Sequence, residues 1–294
     1  MIFRTFKIVM ILIAATIFMS SCGDPTVSIE NAGYEPKIVV NAFIYPGQSV
    51  NNIYIMRNFK LNTKIDTSIL YLTPSMNEAT VAINGTPLQF NDTTKTYYNK
   101  NLFINYGTTY RLSVSAIIDG ISLITESYTT TPNAGFEILN HDLGTNVYRE
   151  NDLYIDFMPS PGTSFYLFSY KPDSASFDNY INNNPFLPNL EPDYFEENYF
   201  RFLFQFNVLL NINSYSTEPI QLEIMEYDTW FYANYRVIAY AGDDNFKDYF
   251  LTASRVQQFD GNFIEPEFHL TGEGIGVFGS AVRDTVTFSI IPNN

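Results

Sequence analysis

From Thr109 to Ile118 the chain alternates without a break. Tyr110, Leu112, Val114 and Ala116 fall on one side, and Arg111, Ser113 and Ser115 on the other. A period of two gives each set one face of an extended strand, whereas a helix would scatter the same residues around its axis. Asp119-Gly120 follows, a pair suited to a tight hairpin turn, and Ile121–Thr131 reads as the returning strand, ended by Pro132. A hairpin with one apolar face needs a second layer to cover it, so this stretch commits its surroundings to β-structure.

The preceding residues supply candidates for that layer. Lys37–Tyr45 and Asn52–Arg57 read as strands separated by Pro46-Gly47-Gln48, and Ala79–Ile83 and Pro87–Phe90 flank the hairpin dipeptide Asn84-Gly85. Strands at this spacing predict a β-sandwich over residues 34–132. Tyr106–Ala116 resembles the penultimate-strand motif of fibronectin type III-like domains, in which the matching Tyr makes a corner hydrogen bond.

A break at Pro132-Asn133-Ala134-Gly135 opens a second β-rich unit over 133–294. Leu153–Met158, Ser164–Tyr170, Tyr199–Val208 and Ile220–Tyr227 read as strands, with the aromatic Tyr199–Val208 expected to be central, and Thr285–Ile290 reads as a closing strand. Asp244–Gln257 reads as a helix, because Phe246, Tyr249, Phe250, Ala253 and Val256 recur at three- and four-residue steps behind a capping Asp243 or Asp244. Thr229–Ala239 fits helix or strand. Aromatics make up 17 % of the chain, mostly Phe and Tyr, and these favour pleated, half-buried surfaces. The expected fold class is mainly β: a fibronectin/Ig-like sandwich followed by a β-rich unit with one or two short helices.

The N-terminal residues carry a different signal. Arg4 and Lys7 precede the almost wholly apolar Ile8–Phe18, a charged region and a short apolar core in the layout of a secretory signal over residues 1–22. A run of eleven residues is too short to span a bilayer, which takes roughly 20. Met19-Ser20-Ser21-Cys22-Gly23 resembles the lipobox of bacterial lipoproteins, which implies acylation at Cys22 and a membrane anchor of several acyl chains. Residues 23–33 then read as a tether.

The chemistry of the body is sparse. Cys22 is the sole cysteine, so it cannot form an internal disulfide and no cysteine remains for a zinc cluster. His141 and His269 are far apart in sequence, and no metal site, cofactor or catalytic residue is assigned. A formal net charge of −15 repels phosphate backbones and argues against nucleic acid as a partner. Gly274-Ile275-Gly276-Val277-Phe278-Gly279 spells a dinucleotide fingerprint, but that motif needs a helix after it. Here a β-branched run follows, so the glycines are read as a bend or bulge where backbones pack closely. Lys171–Asn198 is a long irregular segment carrying Phe177, Tyr180, Phe186, Tyr194 and Phe195 among acids. It is read either as a solvated insertion or as the contact surface for a partner, and in both cases as contributing little core.

Three stretches together resemble one family. They are Tyr34–Ile44 (YEPKIVVNAFI), the Gly107–Ala116 strand, and Phe263-Ile264-Glu265-Pro266 with Gly272–Gly279 (GEGIGVFG). The set resembles the Bacteroidota lipoprotein family known as domain-of-unknown-function family "forty-two forty-nine", over about Tyr34 to Gly279. The chain departs from the family pattern at His269-Leu270-Thr271, in place of the usual Ser-Asn-Ile, and at Glu273, which interrupts the paired glycines. The resemblance implies an outer-membrane lipoprotein, facing either the periplasm or the cell surface, with a TonB-dependent receptor as partner. It carries over no activity and no catalytic residue. The resulting expectation is a non-enzymatic accessory that captures a ligand or covers a receptor. The alternatives are a structural or adhesive surface module and, further off, a glycan-active enzyme.

Overall fold

The computed structural model describes residues 33–60, 63–181, 190–199, 206–213, 215–252 and 266–292. Residues Pro36–Asn294 form one compact unit, mainly β in class. In chain order the strands are β1 (Ile38–Ile44), β2 (Ser49–Arg57), β3 (Thr80–Ile83), β4 (Thr86–Pro87), β5 (Gln89–Asn91), β6 (Thr96–Phe103), β7 (Thr109–Ile118), β8 (Ile121–Thr130) and β9 (Glu137–Ile138). They continue with β10 (Val147–Tyr148), β11 (Leu153–Met158), β12 (Phe165–Pro172), β13 (Phe206–Asn211), β14 (Ile220–Ile224), β15 (Asn234–Gly242), β16 (Leu270–Gly272) and β17 (Gly274–Ile291). Among the described residues four short α-helices accompany them: α1 (Thr67–Leu70), α2 (Pro74–Asn77), α3 (Pro192–Glu197) and α4 (Asp244–Thr252).

One long sheet runs in the order β13-β12-β15-β17-β1-β2-β6-β5. At one end the β16-β8-β7-β3-β4 sheet covers it, and at the other the β14-β11-β9 sheet does. Each overlap encloses its own core. The first gathers Val40, Ile53, Val81 and Val114, the second Phe157, Tyr166, Phe168 and Val286. The result is two sandwich-like layers joined through a shared sheet. The hairpin dipeptides behave as their sequence demands. Asn84-Gly85 and Asp119-Gly120 all have positive φ, and two-residue turns join Ile83 to Thr86 and Ile118 to Ile121.

The joint is β17. Its first half, Gly274–Ser280, pairs in parallel with Ile38–Ile44 of β1; its second half, Ala281–Ser289, pairs antiparallel with β15. Sequence reading located only the second half as a strand, because Gly274, Gly276 and Gly279 interrupt Ile275, Val277 and Phe278 and made the run read as a bend. The glycines serve close approach. Gly276 has φ +108°, and a Cβ there would overlap the Val40 carbonyl oxygen. A Cβ on Gly279 would come within 3.1 Å of the Phe246 backbone nitrogen. The GIGVFG run thus lies inside a strand, not at a strand–helix turn where a phosphate would sit.

One other expectation is corrected, and one left open is resolved. Among the described residues, β13 pairs only with β12, so the aromatic strand read as central is an edge strand that starts at Phe206; residues 200–205 lie outside the described residues. The ambiguous stretch after Thr229 resolves into β15, preceded by a 3-10 turn at Glu226–Asp228.

Three tyrosines near strand starts turn their hydroxyls back onto the loop before them. Tyr110 Oη accepts from Asn105 N at 2.8 Å, Tyr166 Oη from Ser160 N at 2.9 Å, and Tyr235 Oη from Trp230 N and Phe231 N at 3.0 and 2.9 Å. The first is the corner bond expected from the fibronectin-like motif. The other two repeat the device in the second core, where burial pushes the Tyr166 hydroxyl up to about 12.

Candidate functional site

Helix α4 begins where the two sandwiches meet, and a cleft of about 470 Å³ opens beside its first turn. The wall on one side is the end of β8, Tyr128–Thr131. The other walls are the Pro161–Phe165 turn and the Gly242–Asn245 corner. The helix reads from the sequence because Phe246 and Phe250 fall on one face. They pack on the shared sheet, with Phe246 5.5 Å from Phe43 and 6.2 Å from Phe165 between ring centres. The described helix ends at Thr252, and the predicted continuation to Gln257 lies outside the described residues.

Asp243 organises this corner. One carboxylate oxygen accepts from the backbone N–H groups of Phe246 and Ser280, both at 3.0 Å, and the other accepts from the Thr129 hydroxyl. It therefore caps α4 and ties the helix to both β8 and β17. Asn245 adds a second bridge, donating to the carbonyls of Tyr128 and Phe278 at 2.6 and 2.8 Å. Burial raises the Asp243 carboxyl above the ordinary carboxylate range, against the pull of its three donors, with Asp244 adding to the rise. A carboxylate with both oxygens held in this way is a structural strut and makes a poor general base.

Strand β8 explains how the corner is built. Its inward positions Thr125, Ser127 and Thr129 are hydroxyl residues where a core strand would carry aliphatics, and all are buried. Thr125 Oγ1 donates to Thr271 O at 2.7 Å and Ser127 Oγ to His269 O at 2.5 Å, so they satisfy carbonyls of the neighbouring β16 and the segment entering it. This Thr-Ser-Thr alternation was visible in the sequence and marked a strand that faces another backbone. What remains at the rim is Tyr128, 56 % exposed, and Asp244. The cleft thus offers hydroxyl, amide and phenol groups, with one acidic side chain, Asp243, in its floor and one, Asp244, at its rim. It suits a neutral or cationic polar ligand and repels an anion.

The residues singled out in Lys171–Asn198 are placed as follows. Tyr180 and Phe195 are buried with Ala175 and Leu190 around Phe231, and Phe177 packs half-buried against them. The rings meet edge to face: Tyr180–Phe231 at 5.7 Å, Phe195–Phe231 at 6.1 Å and Phe177–Phe195 at 6.3 Å. Backbone bonds from Ile181 N to Trp230 O and from Tyr232 N to Asn179 O pin the segment down. The expectation that it contributes little core is corrected, since it builds a satellite core of its own. Tyr194 is the exposed aromatic of the set, and Phe186 and Cys22 lie outside the described residues.

The histidines each meet an aspartate: His141 Nε2 lies 3.1 Å from Asp284 Oδ2, and His269 Nε2 2.8 Å from Asp248 Oδ2. A search of curated proteins finds no match to this chain. A family model described as "Domain of unknown function (DUF4249)" matches residues 25–284. That match covers most of the sequence, from before the first strand to the middle of β17, and the chain belongs to this family.

Proposed function

We propose that this chain is an outer-membrane lipoprotein, acylated at Cys22, whose β body is a non-enzymatic accessory to a TonB-dependent uptake receptor and captures a polar ligand in the seam cleft. The observation that carries the reading is the cleft itself. Its buried carboxylate, Asp243, is spent on holding α4 to the strands, while its rim offers Tyr128 and Asp244. That division, a rigid hydrogen-bonded floor under an adaptable polar rim, is what a binding surface needs. The anchor half of the reading is supported by the position of Cys22, behind Ser20-Ser21 at the end of a short apolar run.

The full chain, extracted from membranes in detergent and affinity-captured, is expected to bring its receptor or ligand with it. The double variant Tyr128→Ala, Asp244→Ala should lower that yield several-fold while melting shifts by no more than about 3 °C, since both side chains sit at the rim. Full yield from a folded double variant would place the contact surface elsewhere, with exposed Tyr194 the next position to change. Palmitate labelling that persists in Cys22→Ser would refute the anchor.

A further inference from the structure

We propose that Asp248, Glu267 and His269 form a binding site for a first-row divalent metal ion of the Zn²⁺ class. Glu267 and His269 are two residues apart and Asp248 lies on the preceding helix, and the fold brings one ligand atom from each to within 4.8 Å of the other two. Asp248 projects from α4; Glu267 and His269 come from the segment entering β16.

The backbone holds this convergence in place independently of the three side chains. Thr252 Oγ1 donates to Asp248 O at 2.6 Å and accepts from Glu267 N at 3.0 Å, which locks the incoming segment onto the last turn of the helix. The carbonyl of His269 is held by Ser127 Oγ on β8. Donors fixed by hydrogen bonds elsewhere lose little freedom when a cation arrives. In a tetrahedral shell with bonds of about 2.0–2.2 Å, neighbouring donors stand roughly 3.3–3.6 Å apart, so a small rotation of the exposed Glu267 side chain closes the triangle.

The donor set selects the ion. An imidazole nitrogen with two carboxylates suits Zn²⁺ and its first-row neighbours, whereas Ca²⁺ and Mg²⁺ prefer all-oxygen shells. Three protein donors at a half-exposed site leave room for water to complete the coordination. The net charge of −15 favours cations generally. Among the described residues the competing cation is Lys247, whose Nζ lies 3.8 Å from Asp248 Oδ1; Oδ2 is the oxygen that faces His269. The other histidine supplies the internal contrast. His141 has its aspartate, but among the described residues the Asp248 group is where three such donors converge.

The test uses the full chain in detergent, stripped with chelator and titrated calorimetrically with ZnCl₂. One Zn²⁺ should bind, and melting temperature should rise with added metal. His269→Ala and Asp248→Asn should each weaken binding about tenfold or more, because loss even of a residue that only supports a metal ligand costs 10–100-fold. Glu267→Gln removes a donor from an exposed position and leaves the His269–Asp248 hydrogen bond in place, so it tests the site even where the other two variants fold poorly; it too should weaken binding. His141→Ala should bind as the parent does. Absence of binding, or binding unchanged by Glu267→Gln and His269→Ala, would overturn the site and leave His269–Asp248 as a surface pair.

Discussion

Around Ile38, Val40, Ile53 and Val114 the first core is mostly aliphatic, whereas the second sets rings such as Phe157, Tyr166, Phe168 and Phe288 among its aliphatic side chains. The same strand, β17, serves both and changes composition where it crosses. Its glycine half lies against the β1 backbone, and its β-branched and aromatic half sends Val286 and Phe288 into the second core. Small side chains let backbones touch, while rings hold the sheets apart and bring polar groups in with them. The second half of the molecule accordingly carries the buried Arg149 and Asp228, and burial first, then the charge of Asp228, raises the pKa of the Tyr170 hydroxyl.

The largest expected effect lies in the glycine half. Gly276→Ala should cost about 4 kcal/mol or more, enough to prevent folding, because its Cβ meets a main-chain carbonyl that cannot move without breaking the β1–β17 pairing. Denaturant unfolding reads this directly. A loss under about 1 kcal/mol would show that the two strands do not pack backbone to backbone. In the aromatic half, Phe288→Ala should cost about 3 kcal/mol, by opening a cavity beside Tyr235, whose ring stacks on it at 5.1 Å. If Phe288→Ala proves the more damaging of the two variants, the contrast between the halves is reversed.

The smallest effect separates the cores by pH. Burial pushes the Asp228 carboxyl up to about 6, opposed by the N–H of Met225. The native state therefore holds this proton more tightly than the unfolded chain does. The resulting stability is fully present below the ordinary carboxylate range and is lost as pH rises through about 6. Asp228→Asn, which keeps an acceptor for Met225, should raise stability at pH 7 by about 1 kcal/mol and flatten its dependence between about pH 4 and 6. An unchanged pH profile would locate the titrating group elsewhere.

What the sequence made legible were the features written in neighbouring residues. The Thr109–Ile118 alternation, the Asn84-Gly85 and Asp119-Gly120 turns and the capping of α4 by Asp243 all appear as expected. Pairing between distant segments was illegible, because alternation fixes a strand's faces and says nothing of its partner. The β1–β17 ladder joins segments far apart in the sequence, and in Gly274–Gly279 the glycines interrupt Ile275, Val277 and Phe278, so the run read as a bend. Lys171–Asn198 misled for a related reason. Its Pro, Asn and acidic residues look solvated, and nothing local reveals that Phe231 lies beneath it to receive Tyr180 and Phe195. The Asp248–Glu267–His269 group was hidden likewise, since its members meet only once the segment entering β16 is laid along α4.

The pairing of Ile38 with Gly274 also governs the order in which the molecule can form. A chain made from its N-terminus presents β1 early, with β2 to cover one edge and nothing for the other until nearly the whole sequence has been synthesised. Bringing the two together requires closing a loop of most of the chain's length, an entropic cost that must be met before the contacts repay it. During that interval the β1 edge is a template for any extended segment that reaches it. A nascent chain of this design needs a holding partner or rapid completion, and truncation anywhere before β17 should yield an aggregating fragment, not a smaller domain.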